Sequence, residues 1–136
     1  MLIAKKEVQS TIDKINIYLG KCLWMDFVLG RANGGEVEIV GAMDQTYNNF
    51  VNNYEIKLIF EQPYFISCLS EWSLDTTRPF IQLCSINEAV AINTKYQVGQ
   101  SDYIFKINAE GFESYPIFIV AKGIDCKILN YDPFQN

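Results

Sequence analysis

The chain has 136 residues, 49% of them hydrophobic and 14% aromatic, with 11 basic and 16 acidic side chains, no histidine and a net charge of −5. That length suits a single domain spanning 1–136, able to remove about two-thirds of its unfolded surface from water, and the apolar content argues against disorder. A net negative chain repels phosphate backbones and is read as binding no nucleic acid, while the lack of histidine removes Ser-His-Asp and Cys-His triads and mixed Cys/His zinc sites.

From Lys5 to Leu19 the residues Val8, Ile12, Ile15 and Leu19 recur at intervals of four, three and four, which predicts a helix with one core-facing stripe and Gly20 as its C-cap. Residues 22–30, CLWMDFVLG, then read as a first strand, and residues 36–43 as a second. Between them Asn33-Gly34 predicts a tight hairpin turn with positive φ at both central positions. Residues 44–53, DQTYNNFVNN, form a polar loop in which Phe50-Val51 tucks inward.

The next stretch is the most regular in the chain. Tyr54, Ile56, Leu58 and Phe60 alternate with Glu55, Lys57, Ile59 and Glu61, a half-buried antiparallel strand with charges on its wet face. Pro63 marks a bend, because it cannot donate a ladder hydrogen bond, and residues 64–69 continue the sheet toward Trp72. Trp72 is either a plug closing one end of the core or the anchor of an interface, and the plug is favoured.

Asp75-Thr-Thr-Arg-Pro79 is a turn, followed by strands predicted at 80–86 and 89–96. Two further strands, at 103–109 and 115–122, flank the turn Glu110-Gly-Phe-Glu-Ser114, and a last one occupies 124–129. One helix followed by about eight short antiparallel strands predicts an α+β, mainly β fold. The sheet must curl into a half-barrel or split into two layers to bury its apolar faces, with the N-terminal helix packed on it.

No spacing in the chain announces a cofactor or a metal. Cys22, Cys68, Cys84 and Cys126 form no C-x-x-C pair and read as reduced, buried thiols, and GRANGGE lacks both the phosphate-loop and dinucleotide-loop patterns. The longest apolar runs fall short of the roughly 20 residues that span a bilayer. MLIAKKEV reverses the basic-then-apolar order of a secretory signal, so no membrane association and a cytoplasmic location are expected.

The residues singled out for binding are Asp26, Glu36, Glu38 and Trp72, with no catalytic and no metal-ligating residue assigned. Asp26 interrupts the apolar run Trp24-Met25-Asp26-Phe27-Val28-Leu29: on the wet face of a half-buried strand it is an ordinary surface acid, whereas in a cleft it is a site candidate. Glu36 and Glu38 share one strand face, as a solvated edge does.

The segments IFEQPYFISCLSEW and YIFKINAEGFESYPIFIVAKGIDCKIL resemble small bacterial proteins grouped with immunity proteins of polymorphic toxin systems, over roughly the second half of the chain. Several such families place a histidine beside an acid after the first tryptophan. This chain has Trp24-Met25-Asp26-Phe27, so no functional residue carries over. The resemblance implies a non-enzymatic protein-binding domain that neutralises a basic toxin, the acidity of the chain favouring such a partner. A small-molecule-binding or carboxylate-dependent enzymatic β-barrel is the alternative, and a self-associating structural domain, monomer or homodimer in solution, is the third reading.

Overall fold

The N-terminal helix forms on the stripe read from the sequence. In the computed structural model, which describes residues 4–43, 54–99 and 102–129, α1 runs Lys5–Gly20 and buries Val8, Ile12, Ile15 and Leu19. Gly20 is its last helical residue and not its cap. Lys21 takes the cap position with φ −89°, in the right-handed region, so this end requires no glycine. The loop expected at 44–53 with its Phe50-Val51 tuck, and the tail 130–136, lie outside the described residues.

Nine strands follow: β1 Asp26–Ala32, β2 Glu36–Ala42, β3 Ile56–Glu61, β4 Phe65–Ser67, β5 Glu71–Ser73, β6 Ile81–Leu83, β7 Tyr103–Ile107, β8 Ile117–Ala121 and β9 Gly123–Ile128, with a second helix, α2, at Ile86–Tyr96 between β6 and β7. They split into two antiparallel sheets, ordered β5-β1-β2-β3-β9 and β4-β8-β7-β6, and neither closes into a barrel. Of the two expected ways to bury the apolar faces, the chain uses two layers.

The crossing from one sheet to the other occurs where Pro63 predicted a bend. Gln62 takes a left-handed φ of 48°, and Tyr64 N–H then donates to the Val120 carbonyl of the second sheet at 2.7 Å. The return crossing, β8 to β9, lies alongside, with Lys122 N–H on the Glu61 carbonyl at 2.9 Å. Between the layers Ile56, Leu58 and Phe60 of β3 are fully buried, and Phe60 meets Phe105 of β7 edge to face at 5.2 Å. Each such side chain contributes about 1.5–3 kcal/mol by leaving water.

The β1–β2 hairpin forms as expected, but by a different turn. No positive φ occurs at Asn33 or Gly34. Instead the Asn33 side-chain oxygen accepts the N–H groups of Gly35 and Glu36 at 2.8 and 3.0 Å, an Asx-type closure that substitutes a side chain for part of the turn backbone.

The strand expected at 89–96 is helix α2. Ser85 and Glu88 close a capping box at its start, and Gln97, at φ 53°, caps its end. The S-x-x-E signal overrides the short apolar run, because two otherwise orphaned N–H groups, those of Ser85 and Glu88, gain reciprocal side-chain partners. Only Ile92 of α2 is buried. The helix is fastened by Tyr96 stacked on Phe65 at 4.0 Å and by Lys106 Nζ on Glu88 Oε2 at 2.7 Å; that hydrogen bond draws the Glu88 carboxyl below its usual range.

Helix α1 packs against β9 and β6, outer strands of different sheets, and so closes one side of the two-layer core. Asn16 donates to the Ile81 carbonyl at 2.8 Å and accepts the Ile81 N–H at 3.1 Å, covering the free edge of β6. Such cover is a common way to blunt an edge strand.

Candidate functional site

β1 begins at Asp26, not at Cys22, because the backbone of 22–25 is needed to bring the chain from α1 to the sheet. Cys22 and Met25 are buried along that passage, while Leu23 and Trp24 are left 81% and 50% exposed. The predicted strand therefore loses its first tryptophan to the surface. Its place beside β1 is taken by β5, a three-residue strand that pairs Asp26 with Ser73, Phe27 with Trp72 and Val28 with Glu71.

Strand alternation then sorts these side chains. Phe27 and Trp72 face the core and stack with centroids 5.8 Å apart, and Trp72 is only 5% exposed. Asp26 and Ser73 share the opposite face, where Ser73 Oγ donates to Asp26 Oδ1 at 2.8 Å. Asp26 is thus half-exposed on a half-buried strand, yet its Oδ2 is a buried atom that meets no hydrogen-bond partner, as is Trp72 Nε1.

The turn after β7 folds over this edge. Leu74 and Ala109 form an isolated bridge, Glu110 N–H donates to the Ser73 carbonyl at 3.1 Å, and Gly111 takes the left-handed φ of 83° that lets the turn reverse. The result is an open cleft of about 560 Å³ walled by Asp26, Val28, Glu71, Ser73, Glu110 and Phe112, with Phe27 and Trp72 at its base. A second cleft of about 610 Å³ adjoins it and shares Asp26, Ser73 and Glu110, adding Leu23, Trp24, Asp75 and Glu113. Five acids line the two clefts, and among the described residues no lysine or arginine lines either.

Behind the second cleft lies a polar network that sequence reading passed over as a plain turn. Asp75, 6% exposed, accepts the Thr77 N–H and hydroxyl on Oδ1 at 2.8 and 2.6 Å and Arg78 Nε on Oδ2 at 2.7 Å. Arg78 continues to Asn108 Oδ1 at 3.1 Å and to the Ala109 carbonyl at 3.2 Å, and Asn108 donates to the Pro79 carbonyl at 2.7 Å. Hydrogen bonds from Thr77, then the one from Arg78, hold the Asp75 carboxyl down at about 2, against the opposing effect of burial. The network pins Ala109, and through it the position of Glu110. Only the D-x-T spacing hinted at it, by suggesting an Asx-type turn; the pairing with residues thirty positions away left no local mark.

Glu36 and Glu38 are not brought to the clefts. Glu36 pairs with Arg31 at 3.1 Å and Glu38, half-buried, lies 4.0 Å from Lys57, so both belong to a charge-balanced face of β2. The more exposed of the two pairs, Arg31–Glu36, contributes little. Of the four binding candidates, Asp26 and Trp72 meet in one cleft and the glutamates stand apart.

Chemistry beyond binding finds few parts. Among the described residues no group of three or more histidine, cysteine or carboxylate side chains could hold a metal. All four cysteines are free, Cys22 and Cys126 buried and the other two half-buried. Burial pushes the thiols of Cys68 and Cys84 up to about 12, far from the thiolate a nucleophile requires. Among the described residues no helix is long and apolar enough to cross a membrane. Comparison of the chain with protein-family models, with curated proteins and with solved structures gives no match.

Proposed function

We propose that this chain is a cytoplasmic, non-enzymatic protein-binding domain whose paired clefts over β1 and β5 receive a basic segment of another protein. The observation that carries the reading is the composition of that surface: acids with no lysine or arginine among the described lining residues, beside Leu23, Trp24 and Phe112, the last 38% exposed. Acids set the rate and the orientation of encounter. Exposed aromatics supply the anchors that dominate affinity at protein interfaces. The resemblance to immunity proteins supplies the partner class, a basic toxin, and the four free thiols suit a reducing compartment.

The carboxylate-dependent alternative draws on the same cleft, whose volume of about 560 Å³ suits a small ligand and which has Asp26 on its wall. Against it, the cleft opens along the seam of the two sheets, and the sheet interior is filled by Ile39, Leu58, Phe60, Phe105 and Ile119. Self-association through a sheet edge meets obstacles as well: Asn16 covers β6, the 109–110 backbone covers part of β5, and Asp125 Oδ1 occupies the Cys126 N–H of β9.

The test is recovery of a stoichiometric partner from the native host by the tagged chain, compared with Glu110→Lys, Trp24→Ala and, as a control outside the clefts, Glu36→Lys. The expected result is a basic partner retained by the parent chain and by Glu36→Lys, lost from the two cleft variants, and released by rising salt. An acidic partner, a partner indifferent to Glu110→Lys, or recovery of chaperones alone would overturn the reading.

A further inference from the structure

We infer that the Asn33-Gly34 turn is a site of spontaneous covalent modification, at which the Gly34 main-chain nitrogen attacks the Asn33 side-chain amide and converts it to aspartate and isoaspartate without an enzyme. Asparagine is among the thermally labile residues, and this is the only Asn-Gly dipeptide in the chain. Asn33, Gly34 and Gly35 are all exposed at the tip of the β1–β2 hairpin. The Asn33 side-chain oxygen accepts the N–H groups of Gly35 and Glu36 at 2.8 and 3.0 Å, so the side chain is turned forward along the chain. Among the described residues, neither the Gly34 N–H nor the Asn33 side-chain NH₂ has an acceptor.

Nucleophile, electrophile and leaving group are thus each in a usable state. Hydroxide removes the Gly34 N–H proton, the nitrogen forms a bond to Asn33 Cγ, and negative charge develops on Oδ1, where two N–H donors are already in place. The Cγ–Nδ2 bond then breaks, its nitrogen takes a proton from water and departs as ammonia, and a cyclic imide remains. Water opens that ring at either carbonyl. Cleavage of the bond from the Gly34 nitrogen to Cγ gives aspartate, and cleavage of its bond to the Asn33 main-chain carbonyl carbon gives isoaspartate. One water is consumed and one ammonia released, with no oxidant or reductant. A Cβ built on Gly34 would meet nothing within 4 Å, so the attacking nitrogen is not crowded by the fold.

The two products affect the hairpin differently. Aspartate keeps an oxygen for both N–H groups and strengthens those bonds by its charge. Isoaspartate adds a methylene to the main chain, so the Asn33 N–H bond to the Glu36 carbonyl at 3.0 Å and the Ala32–Val37 register cannot both be kept. Asn33 also lines an open cleft of about 360 Å³ with Val37, Tyr64 and Phe65, whose described lining carries no charged side chain, and either product gives that cleft a carboxylate.

The test incubates the full chain folded and, in parallel, unfolded in guanidinium chloride, at neutral and at mildly alkaline pH. Anion exchange reads the added negative charge, and fragmentation of the proteolytic peptides places it. The expected result is modification at Asn33 ahead of every other asparagine, in proportion to hydroxide, and no slower in the folded chain than in the unfolded one. Gly34→Ala, for which the fold has room, should slow it severalfold in both states by crowding the nucleophile. Gly35→Ala should slow it severalfold in the folded chain alone, because a Cβ there lies 3.2 Å from Asn33 Oδ1 and displaces that oxygen from its two donors. Should a variant fail to fold, the comparison of the folded with the unfolded parent chain decides by itself. Slower modification in the folded chain than in the unfolded one, a folded rate indifferent to either substitution, or modification falling first on another asparagine would overturn the inference.

Discussion

Asp75→Asn removes one charge and almost no volume from the network behind the second cleft, which makes its cost calculable. The folded chain lowers this carboxyl from 3.8 to about 2. That difference of about 1.8 units, at about 1.36 kcal/mol each, corresponds to a ceiling of about 2.4 kcal/mol. Arg78, which holds Asp75, is itself 25% exposed, so water screens part of the attraction and the expected destabilisation at pH 7 is between about 1 and 2 kcal/mol. The sign follows from the direction of the shift. A depressed carboxyl stabilises the fold fully above pH 3.8 and loses that contribution as pH falls toward 2. By pH 3 roughly half remains. Urea denaturation of both proteins at several pH values from 7 to 3 should therefore show a gap that narrows on acidification, with the slope on denaturant unchanged. A gap that stays constant with pH, or one below about 0.3 kcal/mol at pH 7, would refute the assignment of the shift to this carboxylate.

Gly41→Ala, which in an open strand position would be harmless or stabilising, should cost about 1–3 kcal/mol in thermal unfolding, since a Cβ there would lie 2.7 Å from Phe27 Cε1 and 2.8 Å from both Met25 Sδ and Ile56 Cγ2. Asn16→Ala should cost about 1–2 kcal/mol by losing both bonds to Ile81. It should also uncover β6, so sedimentation at rising concentration should show more self-association than the parent chain does. Ser85→Ala should remove the cap of α2 at about 1 kcal/mol, seen as faster amide exchange confined to Ile86–Tyr96 because the helix buries only Ile92.

The parts of the fold legible in the sequence are those where one physical rule acts alone. Val8, Ile12, Ile15 and Leu19 had only to follow a helical period, and Ile56, Leu58 and Phe60 only a two-residue one; each set is buried as read. Where two rules compete, the local pattern misleads. Residues 89–92 form a short unbroken apolar run, AVAI, yet the cap at Ser85 decides for a helix. Leu23 and Trp24 are as apolar as any strand, but α1 ends at Gly20 and the chain must travel to reach β1 at Asp26, so they are spent on the surface. The site was legible to the same degree. Asp26 and Trp72 stood out as an acid in an apolar run and an aromatic after a strand, whereas Glu110 and Phe112 read as turn residues, because nothing in a hairpin turn states which distant strand it will cover.

The covering of that strand joins the stability of the fold to the shape of the cleft. Arg78 and Asn108 hold Ala109, Ala109 bridges Leu74, and Glu110 N–H closes on Ser73, so the acid-bearing wall of the cleft is fixed by bonds that involve none of its carboxylates except Asp75. A wall held in this way keeps its charges in place before any partner arrives, and association then loses little conformational freedom on this side of the interface. The cost falls on electrostatics, because Asp26, Glu71, Glu110 and Glu113 line the two adjoining clefts with no lysine or arginine beside them among the described lining residues. A fold gains nothing in its own stability from that repulsion. The arrangement is accounted for if the missing positive charge comes from outside the chain.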